Sequence, residues 1–210
     1  MVNQVKTQSG IIRILDDSVL EAYNESIKGY NEKARKSLGR FSKSDGELTG
    51  SSPLMLIQLA NSRALPKGTR LARREDLEYA KSQDSDFLIE NYTDFGLALR
   101  TKGDSYQPND LPAKRLAEQF KQRNIKLGKG KLISLDALSL VDDENSVYGV
   151  VAELKEGAEN SIRELSDYEW NYTRNEGLAC ADLLRSRYWL SLVRRLAYSD
   201  GIGRVVVVSA

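Results

Sequence analysis

Leu132-Ile133-Ser134-Leu135-Asp136-Ala137-Leu138-Ser139-Leu140-Val141, then Asp142-Asp143-Glu144-Asn145-Ser146, then Val147-Tyr148-Gly149-Val150-Val151-Ala152-Glu153-Leu154-Lys155 is the stretch on which the fold turns. Two aliphatic, β-branched runs flank a polar segment, which predicts two strands, 132–141 and 147–155, joined by a turn. A loop closed symmetrically on Glu144 and Asn145 sets Asp136 directly opposite Glu153, with β-carbons about 5 Å apart. Lys155 lies two residues beyond Glu153 and shares its face. Two carboxylates and an ammonium then converge on one side of one hairpin. The convergence depends on register, because a one-residue slip sends a strand's side chains to the other face.

Around this hairpin the chain alternates helical and extended signals. Residues 18–35 repeat Val19, Leu20, Tyr23, Ile27 and Tyr30 at helical spacing, and Pro53 opens a short apolar helix in the favoured first-turn position. Residues 37–52 and 101–110 read as loops. Residues 75–81 and 111–124 read as helices, the second with Leu116, Ala117 and Phe120 on one face. Residues 92–99 read as a strand. Beyond the hairpin, 161–170 is expected to be helical. Asn175 is expected to cap a long helix over 176–198, with Leu184, Tyr188, Leu192 and Leu196 inward and Gly201 ending it. Residues 205–208 are a continuous apolar strand of the kind buried on both faces. The expected fold is α/β or α+β: a small mixed sheet flanked by helices. Residues 1–105 form a mostly helical region that can supply 92–99 as a first core strand, and 106–210 form the core.

Composition narrows the chemistry by what it lacks. The 210 residues contain no histidine and one cysteine. That removes histidine bases, Ser-His-Asp and Cys-His systems, structural zinc and an internal disulfide. Catalysis would rest on carboxylates, lysines, arginines or hydroxyls, and carboxylates are hard ligands suited to magnesium or manganese. Lysine and arginine number 31 against 30 acidic residues, so any nucleic-acid surface must come from local clustering. No apolar run is long enough to span a bilayer, and residues 1–10 lack the pattern of a signal peptide. A cytoplasmic protein without membrane contact is the expectation.

The segments Ser134-Leu135-Asp136-Ala137-Leu138 and Val150-Val151-Ala152-Glu153-Leu154-Lys155 resemble the core signature of the PD-(D/E)XK nuclease superfamily, which includes restriction enzymes, Holliday-junction resolvases and RecB-like nucleases. Leu135 stands where the family name has proline. The resemblance covers roughly the second half of the chain and implies a restriction-endonuclease-like core. It implies Asp136 and Glu153 as ligands of Mg2+ or Mn2+, the Leu154 carbonyl as a third ligand, and Lys155 as the catalytic lysine. The helical glutamate that often completes such a site is Glu118 if the helix over 111–124 opens the core, and Glu75 or Glu78 if the core begins earlier.

The reaction implied is metal-dependent hydrolysis of DNA phosphodiesters, in which a bound cation lowers the pKa of the attacking water. Such nucleases are often homodimers, because two strands must be cut. Arg185, on the expected helix over 176–198, and Lys129 and Lys131, before the hairpin, are candidate DNA contacts. Two other classes fit the same residues. One is a noncatalytic nucleic-acid-binding or assembly protein on this scaffold, and the other a structural or regulatory protein with no nucleic-acid partner. Glu153 and Lys155 would then be an ordinary ion pair on a solvated strand face. Cys180, between two alanines, reads as a small buried residue.

Overall fold

The computed structural model describes residues 4–7, 10–39, 41–101, 103, 108, 110–165, 176–184, 187–191 and 196–209. Its elements, in chain order, are β1 (Gln4–Lys6), β2 (Ile11–Ile14), α1 (Leu20–Ser26), α2 (Glu32–Leu38), β3 (Ser42–Ser44), β4 (Glu47–Thr49), α3 (Pro53–Asn61), β5 (Thr69–Leu71) and α4 (Arg74–Gln83). There follow β6 (Tyr92–Arg100), α5 (Leu111–Gln122), β7 (Gly130–Ser134), β8 (Leu138–Asp142), β9 (Val150–Leu154), β10 (Ile162–Glu164), β11 (Gly177–Leu184), β12 (Arg187–Ser191) and β13 (Val206–Ser209). The fold is α+β. Among the described residues, the region 1–105 carries six strands beside four α-helices, where helices were expected to dominate.

The largest sheet has five strands in the order β10-β7-β6-β11-β12, and a second has four in the order β1-β2-β13-β5. β3–β4 and β8–β9 are separate hairpins. All these pairings are antiparallel, which corrects the expectation of a mixed sheet. β1 to β2 and β11 to β12 are joined by connections too short for the crossover that parallel neighbours need. β13 lies between β2 and β5, so the end of the chain closes a sheet begun at its start.

Both faces of the five-stranded sheet are covered. On one, Leu97, Leu99, Ile133 and Cys180 join Leu56 and Leu59 of α3, Leu116 and Phe120 of α5, and Val150, Ala152 and Leu154 of β9. On the other, Phe95, Ala98, Ala179 and Leu183 meet Leu77 and Ala80 of α4, Phe87 and Val206. All nine residues of β6 are buried. The pairing of β6 with β11 slips by one between Ala181 and Asp182. This bulge gives Phe95 to the α4 side, out of step with Leu97 and Leu99.

Two-sided burial accounts for the main corrections. Within 176–198, expected as a helix, residues 177–184 and 187–191 form β11 and β12. A strand buried on both faces loses its alternation and cannot be told from a buried helix by periodicity. Residues 161–170 were also expected to be helical, but Ile162–Glu164 is β10; Trp170, like Asn175, lies outside the described residues. The single helix expected over 18–35 is two. Asn31 interrupts it, and its Oδ1 accepts from the Ala34 amide at 2.8 Å to cap α2. The loop expected over 37–52 contains the β3–β4 hairpin, turned by Asp45 and Gly46 at positive φ.

Pro53 opens α3 as expected, with Ser52 as its cap, and Asp110 caps α5 by accepting from the Ala113 amide at 2.9 Å. Residues 75–81 lie in α4 and 92–99 in β6.

The deciding hairpin departs from its expected register. The strand expected over 132–141 is broken by a 3-10 turn, Leu135–Ala137, so β7 joins the large sheet and β8 leaves it to pair with β9. The loop is 143–149 rather than a tight turn. In β8–β9, Ser139 lies opposite Glu153, so Asp136 does not.

The physical reason is tertiary. Asn31 donates to Asp142 Oδ1 at 3.0 Å and to the Gly149 carbonyl at 2.9 Å. Lys33 donates to the carbonyls of Glu144 at 2.9 Å and Ser146 at 3.0 Å. The start of α2 thus holds the loop open, and no residue inside the hairpin signals it.

Candidate functional site

Asp136 and Lys155 come together, though not across a strand pair. The 3-10 turn carries Asp136 out of the sheet, and the chain leaving β9 passes beside it. The Lys155 amide donates to the Ala137 carbonyl at 3.0 Å, and Lys155 Nζ donates to the Asp136 carbonyl at 2.8 Å. Burial pushes the Lys155 ammonium below its ordinary pKa, and the nearby Asp136 charge partly opposes this.

The Asp136 carboxylate faces another element. Arg73, at the N-terminus of α4, donates to Asp136 Oδ2 through Nε at 3.2 Å and Nη2 at 2.8 Å. Asp136 Oδ1 is buried and has no hydrogen-bond partner.

A second ion pair stands next to the first. Arg70 on β5 grips both oxygens of Asp76, at 2.6 and 2.9 Å, and Asp76 Oδ2 also accepts from the Arg73 amide at 2.8 Å. This carboxylate therefore ties β5 to the first turn of α4, where the helix dipole favours negative charge. The hydrogen bonds from Asp76 hold the Arg70 guanidinium above its usual pKa, and the charges of Asp76, Asp136 and Glu75 add to the effect. Arg123, at the end of α5, donates to the carbonyls of Leu154 and Lys155, both at 2.7 Å. Arg70, Arg73 and Lys155 thus line one corner with Asp76 and Asp136 between them, and Arg123, paired with Glu159 at 3.1 Å, borders it at the Lys155 backbone.

Two of the expected metal-ligand atoms have other partners in this arrangement. Both donors of Arg73 occupy Asp136 Oδ2, Arg123 holds the Leu154 carbonyl, and Glu153 is in register with Ser139. Glu118 is exposed on α5; its neighbour Gln119 turns to β9, where Oε1 accepts from the Leu154 amide at 2.7 Å. Among the described residues, no three acidic, cysteine or histidine side chains gather as a ligand set. Glu75 and Glu78 lie exposed on α4, the helix that does reach Asp136, and Glu78 pairs with Arg74 at 2.7 Å.

The expected DNA contacts separate. Lys131 is buried and paired with Glu164 at 2.7 Å, directly opposite it on β10. Lys129 is exposed beside it in sequence, and Arg185 lies outside the described residues.

The sequence reading missed Arg70, Arg73 and Arg123. The run Arg70-Leu71-Ala72-Arg73-Arg74-Glu75-Asp76 at a helix start was the available signal. It also missed Asp94 and Asp182, which are 3% and 5% exposed and directly opposed across β6 and β11. Ser51 Oγ donates to Asp94 Oδ2 at 2.8 Å. Burial pushes the Asp182 carboxyl up to about 7. Cys180, on β11, is buried as expected, which raises its thiol pKa.

No helix among the described residues is long and apolar enough to cross a membrane. No family model, no curated protein and no solved structure matches this chain.

Proposed function

We propose that this protein binds nucleic acid through backbone phosphates at the corner formed by Arg70, Arg73 and Lys155 and bordered by Arg123. The observation that carries this reading is the gathering of Arg70, Arg73 and Lys155, from β5, the start of α4 and the chain beyond β9, around Asp76 and Asp136, with Arg123 beside them at the Lys155 carbonyl and paired with Glu159 at 3.1 Å. Arg70 and Arg73 keep 42% and 37% of their side-chain surface in water, so an anion from solution reaches them. Guanidinium groups match phosphate geometry, and such contacts position a strand without reading its sequence. The reading is of a binding protein first, because Asp136 Oδ2 and the Leu154 carbonyl, two of the candidate metal-ligand oxygens, already accept from arginines.

The test is binding to a panel of duplex, single-stranded and branched DNA and RNA across a salt series in chelator. Binding is expected at low salt, weakening steeply as salt rises. Lys155→Gln and Arg70→Gln are expected to weaken it several-fold and to flatten the salt dependence. No binding to any member at low salt overturns the reading.

Metal-dependent cleavage of DNA at the same corner is the second reading. The buried Oδ1 of Asp136, which lacks a hydrogen-bond partner, favours it. Cutting of the same panel with Mg2+ or Mn2+, abolished by Asp136→Ala, would establish it over the first.

A further inference from the structure

We propose that Arg73 is the phosphate seat of this corner and that Asp136 fills it as a built-in competitor until a phosphate displaces it. The inference rests on the nucleic-acid reading and deepens it by naming the group recognised and the contact that holds the site shut. A carboxylate meeting a guanidinium well gives one oxygen to each of two donors. Arg70 and Asp76, one turn away, do this at 2.6 and 2.9 Å. Arg73 and Asp136 do not: both donors, at 3.2 and 2.8 Å, share Oδ2, while Oδ1 is buried without a partner.

The second pair is therefore incompletely satisfied. Leaving a buried acceptor unmatched destabilises the closed pair and favours its exchange for a better-matched anion. A phosphate group has more oxygens than a carboxylate. It can give separate oxygens to Arg73 Nε and Nη2 and another to the Lys155 ammonium, which has three donors and is bonded to the Asp136 carbonyl. The Arg73 side chain is 37% exposed and Asp136 is 19% exposed, so the pair opens toward solvent rather than into the core.

The experiment is fluorescence anisotropy with a labelled single-stranded oligonucleotide and the matching duplex, at low salt in chelator. It compares wild type, Asp136→Asn, Glu75→Gln and the double variant Asp136→Asn/Arg73→Gln. Asp136→Asn is expected to bind about tenfold more tightly than wild type, the scale of one charge-assisted hydrogen bond released. Glu75→Gln removes the same charge from the field at Arg70 without touching Arg73, and is expected to stay within about twofold of wild type. The double variant is expected to lose the gain. If Asp136→Asn does not fold, Asp136→Ser, which also removes the charge, takes its place.

Wild-type binding that Asp136→Asn leaves unchanged, or a gain matched by Glu75→Gln, overturns the competitor and leaves the nucleic-acid reading intact. Absence of binding by every form overturns both.

Discussion

Single residues here act through the company that burial imposes. Asp182 is an aspartate inside a sheet, facing Asp94 across two strands. Burial raises its pKa to about 7, against an ordinary value of 3.8. Between these values the folded protein keeps a proton that the unfolded chain has released. The unfolded state binds fewer protons there, so stability falls as pH rises. This contribution is complete below about 4, declines through about 7 and then levels off. Denaturant midpoints measured from pH 4 to 8 are expected to show that decline, and Asp182→Asn is expected to flatten it and to be the more stable form at neutral pH. A midpoint that rises over this range in wild type would contradict the assignment. Lys155 shows how a residue can be legible and its role not. Its place beside Asp136 is as the sequence suggested, but it meets the carbonyl of Asp136 while the carboxylate turns to Arg73.

At the scale of elements, the β8–β9 hairpin was recognisable and its register was not. Two aliphatic runs around Asp142-Asp143-Glu144-Asn145-Ser146 identify paired strands. The pairing was set by α2, a hundred residues earlier in the chain. Gly149 marks the docking point: it has φ of +74°, and a β-carbon there would meet Asn31 Oδ1 at 2.7 Å and the Ala34 amide. Gly149→Ala is expected to lower unfolding free energy by about 2–4 kcal/mol, from left-handed strain and collision together. Urea denaturation measures it. A loss as small as that of an exposed surface change would mean that α2 does not fix the loop. Asp110, Asn31 and Ser52 cap the helices that follow them wherever those helices pack.

Across the whole molecule, β13 binds the end of the chain to its beginning. Val207 is fully buried and pairs with Arg13 of β2 on one side and Leu71 of β5 on the other. The larger core runs from Leu15 to Val207 and includes residues of α3, α5 and β9. Unfolding is therefore expected to be one cooperative transition, with far-ultraviolet circular dichroism and intrinsic fluorescence superimposing. Val207→Ala is expected to shift that whole transition by about 1–3 kcal/mol rather than to split it. Two resolved transitions would show instead that the 1–105 and 106–210 regions unfold independently.

The sequence by itself determined a fold of mixed α and β elements, the helix opened by Pro53, the helices over 75–81 and 111–124, the strands over 92–99 and near the C-terminus, and the absence of histidine chemistry, because composition and local pattern act over a few neighbouring residues. The tertiary structure decided that 177–184 and 187–191 are extended, that Ser139 rather than Asp136 faces Glu153, and that Arg73 and Arg123 take up Asp136 Oδ2 and the Leu154 carbonyl. Each of these depends on a partner far away in the chain, and a periodicity of apolar residues carries no information about which distant surface will cover them.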